Sequence, residues 1–334
     1  MNGKPTIALA MGDPSGISPE LTAKALAASD IRAAANFIVF GDRRVLAMGE
    51  RHAGVSVDID VVEDGRPAEG TAFVDLKHLD PDTVPIGEVS PEGGQSAVSN
   101  FRRAIALGKT GAAAAVTFTP FNKAAMRLAH PSYEDEIVFL NEELGRDEDA
   151  SEFNILPNVW NARVTSHVPI SGVAELIRKD LVLSKLELTH RSLVDAGIEN
   201  PRIAVAGLNP HAGDGGNFGR EDLDEIEPAV EAGRARGIAC EGPFPSDTVF
   251  LRAKRGDFDA VLTMYHDQGQ IAMKLLGFDA GVTLLGGYPF PVCTPAHGTA
   301  YDIAGKGIAD LGATRNALLL AARMASAATR SVAA

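Results

Sequence analysis

Three histidines stand just beyond short apolar runs, where a chain could gather them at one edge of a sheet. His167 lies in Val164-Thr165-Ser166-His167-Val168-Pro169, at the end of an expected strand. His211 lies in Leu208-Asn209-Pro210-His211-Ala212-Gly213, after Ile203–Ala206. His266 lies in Met264-Tyr265-His266-Asp267-Gln268, after Ala260–Met264. Neutral imidazole suits borderline divalent metals, and three protein ligands leave a coordination position open for substrate. The spacing is too long for a local motif, so isolated histidines that cap strands or hydrogen-bond locally stay open as the alternative.

Other polar residues fall near them. Asp247, in Gly242-Pro243-Phe244-Pro245-Ser246-Asp247-Thr248, reads as the N-cap of a helix Thr248–Lys254 or as a carboxylate beside a metal. Asp267 adjoins His266. Lys274 falls near the end of a short helix, where a lysine is either solvated against the helix C-terminus or the proton-transfer group that oxidation of a hydroxy acid needs. Gly213, Gly215 and Gly216 follow His211 and let backbone N–H groups approach a ligand. A second glycine turn, with His297, Gly298, Thr299 and Asp302, is flanked by Lys306. Neither segment matches G-x-G-x-x-G or G-x-x-x-x-G-K-[ST], so ordinary Rossmann binding of NAD is not supported.

The elements that must position these residues alternate. Thr6–Met11, Asn36–Phe40, Ala113–Phe118, Ile203–Ala206 and Ala260–Met264 read as strands. Pro19–Leu26, Ala97–Leu107, Leu181–Ala196, Asp222–Ala232 and Thr314–Ala325 carry apolar residues near a 3.6-residue period and read as helices. This alternation predicts βαβ units, an α/β fold and a mainly parallel sheet, with ligands beyond the carboxyl ends of strands. No fixed-period repeat, low-complexity tract or Pro/Ser-rich linker marks a boundary.

The chain has 334 residues, which at ~100–200 per domain suggests about two domains. An apolar fraction of 45% suffices for real cores. The 31 Lys and Arg against 44 Asp and Glu give a net charge of −13, which argues against nucleic acid but not against a small anionic substrate. Thr6–Met11 ends in a Gly-Asp-Pro turn and reads as a strand, not a signal peptide. Arg323 interrupts the apolar stretch Ala317–Ala322, so no membrane span is expected. With two cysteines, Cys240 and Cys293, no disulfide framework is expected, and a reducing cytoplasm is the simplest compartment.

Several motifs in order resemble the 4-hydroxythreonine-4-phosphate dehydrogenase family of vitamin B6 biosynthesis, over essentially the whole chain. They are Met11–Gly16 with Pro19 and Glu20, Thr119–Lys123, Leu208–Glu221, Gly242–Asp247, Met264–Gln268 through Lys274, and His297–Ala300. The last also looks like the adenine-binding loop of isopropylmalate and isocitrate dehydrogenases. The resemblance implies a homodimer of subunits with two α/β/α domains of the isocitrate/isopropylmalate dehydrogenase-like type, active sites lying in an interdomain cleft at the dimer interface. The approximate domains are 1–130 with 285–334, carrying the nucleotide-binding loop, and 131–284, carrying the metal ligands. It places His167, His211 and His266 on the metal ligands and Lys274, Asp247 and Asp267 on catalytic positions. The implied cofactors are NAD or NADP and one divalent ion, Zn, Co, Ni, Mn or Mg. The implied reaction is oxidation of a 3-hydroxy acid followed by loss of CO₂. Gly213, Gly215, Gly216, His297, Gly298, Thr299 and Asp302 are the cofactor-binding candidates.

The chain departs from that family at the distal substrate pocket. Glu134 and Asp135 stand where the family has a His-Thr pair, Thr283 replaces an Asn, and Val292 replaces an Arg that helps bind the substrate phosphate. These positions keep a second function in view: oxidation of an unphosphorylated hydroxy acid, as in terephthalate-type cis-dihydrodiol dehydrogenases. A third, from another class, is a non-catalytic ligand-binding protein. Retention of the three histidines, Asp247 and Lys274 argues against it.

Overall fold

The computed structural model describes residues 4–63, 70–145, 150–277 and 280–332, the last five through their backbone alone. The chain divides into two compact units. One is 1–149 with 288–334, and the other is 150–287. Among the described residues the strands are β1 (Thr6–Ala10), β2 (Asn36–Gly41), β3 (Asp60–Glu63), β4 (Ala72–Asp75), β5 (Ala115–Phe118), β6 (Ser151–Leu156), β7 (Val159–Arg163), β8 (Ile203–Ala206), β9 (Cys240–Phe244), β10 (Ala260–Thr263), β11 (Val282–Gly286) and β12 (Val292–Pro295).

The first unit orders its strands β3-β4-β2-β1-β5-β12, all parallel. Helices on both faces bury such strands fully, which is why β1 and β5 read as unbroken apolar runs. The Ser90 hydroxyl caps the helix Pro91–Lys109 by accepting from Gly93 N at 3.0 Å. Gly94 is obligatory there, because a Cβ would sit 1.9 Å from the carbonyl oxygen of Ala125 in the helix Lys123–Ala129. Phe101 stacks on Phe139 at 5.5 Å between ring centres and meets Phe118 at 4.8 Å. Phe139 thereby draws the helix Glu136–Leu144 into the first unit. The stretch 131–145 lies in this unit.

The second unit orders its strands β11-β6-β7-β10-β8-β9. From β7 to β9 the pairings are parallel, whereas β6 pairs antiparallel with both β7 and β11. The tight turn between β6 and β7 leaves no room for a crossover helix, so that pair must be antiparallel. The helix Lys179–Asp195 covers one face. Val249, Phe250 and Met273, from helices Ser246–Lys254 and His266–Gly277, bury the other against Leu156, Val159 and Val261. Cys240 and Cys293 are both buried and unpaired. No helix among the described residues is long and apolar enough to cross a membrane.

Candidate metal and substrate site

All three histidines lie in the second unit. Beyond β7 and β10 the two chains run on side by side. Val164 N donates to Thr263 O at 2.8 Å, and Thr165 donates to Met264 O through both its N–H (3.0 Å) and its hydroxyl (2.8 Å). This extended ladder delivers His167 and His266 to one place, their ring centres 5.8 Å apart and their planes at 42°. Two imidazoles sharing an ion at N–metal distances of about 2.0–2.1 Å have ring centres roughly 5–6 Å apart, so the pair fits. His167 holds a φ of +27°, a strained backbone of the kind that clusters at functional sites.

His266 opens the helix His266–Gly277. Its Nδ1 lies 2.7 Å from Asp267 Oδ1. A carboxylate accepts only, so Nδ1 carries the hydrogen and Nε2 presents the lone pair, a tautomer inferred from the partner. Gln268 secures the same turn. Its Oε1 accepts from Met264 N at 2.7 Å, and its Nε2 donates to Gly207 O at 2.8 Å, tying the β10 end to the chain leaving β8.

That chain carries His211. Buried Asp222 clamps it, accepting from Leu208 N at 2.9 Å, Asn209 N at 3.2 Å and Asn209 Nδ2 at 2.9 Å. His211, Ala212, Gly213, Asp214 and Gly215 then follow one another with left-handed φ of +55°, +53°, +80°, +44° and +65°. Three of the five are not glycine, and each such residue costs roughly 1–2 kcal/mol that the Asp222 clamp must offset. His211 meets the Phe218 ring at 6.1 Å between centres. Among the described residues no three or more His, Cys, Asp or Glu stand close enough together to hold an ion. The structure brings the His167 and His266 rings within 5.8 Å of each other, tilted at 42°, and sets His211 on the adjoining loop.

The remaining candidates are placed as follows. Asp247 is exposed in the first turn of the helix Ser246–Lys254, whose cap is Pro245, so the N-cap role expected for it is not seen. Lys274 lies in the last turn of the helix that His266 opens, about 12 Å along its axis at 1.5 Å per residue. Thr283 is half-buried in β11, opposite Asn154.

In the first unit, Glu134 is exposed. Asp135 caps the helix Glu136–Leu144 by accepting from Val138 N at 3.0 Å. Val292 is 0% exposed within β12, so its side chain offers a ligand no surface. The loop with His297, Gly298, Thr299 and Asp302 folds onto the Met11–Gly16 turn. Ile17 N donates to Thr299 O at 3.0 Å, and the Tyr301 hydroxyl donates to Asp13. Gly16 permits this approach, since a Cβ there would lie 2.7 Å from Thr299 O. Asp13 also accepts from Ser15 N at 2.9 Å, and burial pushes its carboxyl above the ordinary range despite the Tyr301 and Ser15 hydrogen bonds.

Sequence reasoning missed Asp13, Gln268 and Asp222. Asp13 and Gln268 fall inside the motif segments but carry no role there, and Asp222 lies just past one; their tertiary hydrogen bonds are visible only in the fold.

Comparison with known proteins decides the family. The family model described as "Pyridoxal phosphate biosynthetic protein PdxA" matches residues 33–321. The chain belongs to this family. A Rhizobium meliloti (strain 1021) protein, provisionally named 4-hydroxythreonine-4-phosphate dehydrogenase 2, is 62% identical over 96% of this chain and 94% of its own. A D-threonate 4-phosphate dehydrogenase of Cupriavidus necator is 40% identical over 96% of this chain and 98% of its own. The crystal structure of a 4-hydroxythreonine-4-phosphate dehydrogenase from Klebsiella pneumoniae superposes with a TM-score of 0.79 at 34% identity, covering 96% of this chain and 98% of that one. A β-decarboxylating dehydrogenase from Thermococcus kodakarensis, at 16% identity and a TM-score of 0.51 over 95% of this chain and 81% of its own, shares the fold alone. The expected decarboxylating-dehydrogenase type of α/β fold is therefore the one present.

Proposed function

We propose that this PdxA-family protein is a dehydrogenase that oxidises, and then decarboxylates, a phosphorylated 3-hydroxy acid with NAD or NADP and one divalent ion. The proximity of the His167 and His266 rings, 5.8 Å between centres, carries the reading. His167 and His266 would hold the ion, with His211 supplied by the loop that Asp222 and Gln268 fix. When bound, the ion supplies Lewis acidity to the substrate hydroxyl and to the enolate left by CO₂ loss.

The chain's own residues do the rest. Asp267 keeps the His266 tautomer whose Nε2 is unprotonated. Lys274, eight residues along the helix that His266 opens, is the proposed proton-transfer group. Asp247 remains the carboxylate for proton transfer. Gly213, Gly215 and Gly216 and the loop His297–Asp302 are the proposed nucleotide contacts, and the working form is proposed as a cytoplasmic homodimer.

The phosphorylated class is favoured over an unphosphorylated acid because the relatives named above act, by name, on 4-phosphates.

The test offers purified protein, a divalent metal and NAD or NADP to 4-phosphohydroxythreonine, D-threonate 4-phosphate and their unphosphorylated counterparts. Reduced nicotinamide should form with a 4-phosphate and not with its counterpart. The reverse preference overturns the substrate class, and no turnover of any hydroxy acid overturns the activity.

A further inference from the structure

Arg163 is the last residue of β7 and is 3% exposed, with its side chain at 2%. Its Nη2 lies 2.7 Å from Glu152 Oε2, an ion-pair distance without hydrogen-bond alignment. Among the described residues its Nε and Nη1 meet no acceptor. A buried guanidinium that leaves one edge unengaged gives up much of what its burial costs.

The position of that edge gives it a use. Asn161 and Arg163 share a face of β7, and Glu152 and Asn154 share the same face of β6, because alternate residues align and Asn154 pairs with Asn161. The helix His266–Gly277 covers this face. Gly269 sits against the Asn161 amide, which a Cβ would approach to 2.1 Å, and Gln270 Nε2 donates to Asn154 Oδ1 at 2.8 Å. Arg163 lies two residues beyond Asn161, roughly 6.6 Å further toward the strand end that bears His167. Its neighbour Thr263 leads into His266. Ser166 Oγ, just past Arg163, is likewise enclosed and unpartnered. Solvent reaches the pair at the Glu152 side chain, which is 24% exposed, whereas the Arg163 nitrogens are themselves enclosed, so an oxyanion would have to enter beside Glu152.

We infer that Arg163 binds an oxyanion of the substrate, a carboxylate or a phosphate, through its Nε–Nη1 edge, while Glu152 holds the other edge. Two parallel N–H donors match two oxygens of either group. The inference deepens the proposed function and rests on the second unit's strand ends being the substrate site. Simple oxyanions test it independently of that reading.

The experiment is calorimetric binding to metal-loaded protein of inorganic phosphate, acetate, D-threonate, D-threonate 4-phosphate and a four-carbon polyol phosphate without a carboxylate. Glu152→Leu/Arg163→Leu replaces the ion pair with apolar side chains, a change that buried pairs often tolerate. Arg163→Lys keeps the charge and loses the planar edge. Folding is checked by circular dichroism and thermal melting. The wild type should bind the oxyanions. The double variant should bind them about 100-fold more weakly and the lysine variant about tenfold more weakly. Loss with D-threonate alone assigns the carboxylate, and loss with the polyol phosphate alone assigns the phosphate. Wild-type affinity in either folded variant, or no oxyanion binding by the wild type, overturns the inference and leaves Arg163 a hydrated structural ion pair. Absence of turnover together with Arg163-dependent oxyanion binding overturns the proposed function and leaves this inference standing.

Discussion

His266 and Asp267 are bonded neighbours in the chain and in space: imidazole Nδ1 stands 2.7 Å from carboxylate Oδ1. A histidine that donates its Nδ1 hydrogen to a carboxylate has its Nε2 lone pair oriented for an ion. Asp267→Ala should therefore lower affinity for a divalent ion by about tenfold or more, within the 10–100-fold range of such outer partners. Asp267→Asn retains an acceptor and should lose less. Competition against a chelating indicator measures both. Equal affinity in wild type and Asp267→Ala would remove Asp267 from any role at an ion.

Gln268 joins two loops that the sequence sets far apart. Its amide accepts from Met264 N and donates to Gly207 O, 61 positions away. Gln268→Ala leaves both backbone groups without this partner, at about 1–3 kcal/mol for each buried group left unsatisfied. Gln268→Glu keeps the first bond but sets a carboxylate oxygen against the Gly207 carbonyl, so it should cost at least as much as the alanine variant. Denaturant melts give the stabilities, and metal titration of the same proteins reads the loosening of the His211 loop against His266. A fall in stability with no change in metal affinity would mean that Gln268 only holds the fold.

How much of this was readable beforehand depended on range. Strands Ile203–Ala206 and Ala260–Thr263 announce themselves as unbroken apolar runs because a parallel sheet buries both faces. His211 and His266 follow them directly, so their strand-end placement was legible. β6 was not, and β7 was expected only as a strand of undefined start ahead of His167, since Asn154, Asn161 and Arg163 place polar groups in a buried face and break the pattern. The helix expected over Asp222–Ala232 begins with a π-helical turn at Asp222–Ile226, where Asp222 turns back to clamp Leu208 and Asn209. Asp135 reads as a substrate-contact candidate because it stands where the related family has one of a His-Thr pair. Its use as a helix cap shows only once Val138 N is seen to point at it.

Asp13 offers a test through pH. Burial raises its carboxyl above the ordinary value, outweighing the hydrogen bonds from Tyr301 and Ser15. The folded state then holds a proton on Asp13 in a window that opens near the unfolded value of about 3.9 and closes at the higher folded value. In that window the folded state binds more protons than the unfolded, so this group's contribution to stability is fully present below the window and is lost as pH rises through it. Asp13→Asn cannot ionise and keeps an acceptor for Ser15 N. Its melting temperature relative to wild type should therefore be more favourable at about pH 7 than at about pH 4. A difference independent of pH would show that Asp13 keeps its ordinary acidity. A difference that moves the opposite way would mean that the Tyr301 and Ser15 hydrogen bonds outweigh burial, with the carboxylate the favoured form at the Met11–Gly16 turn.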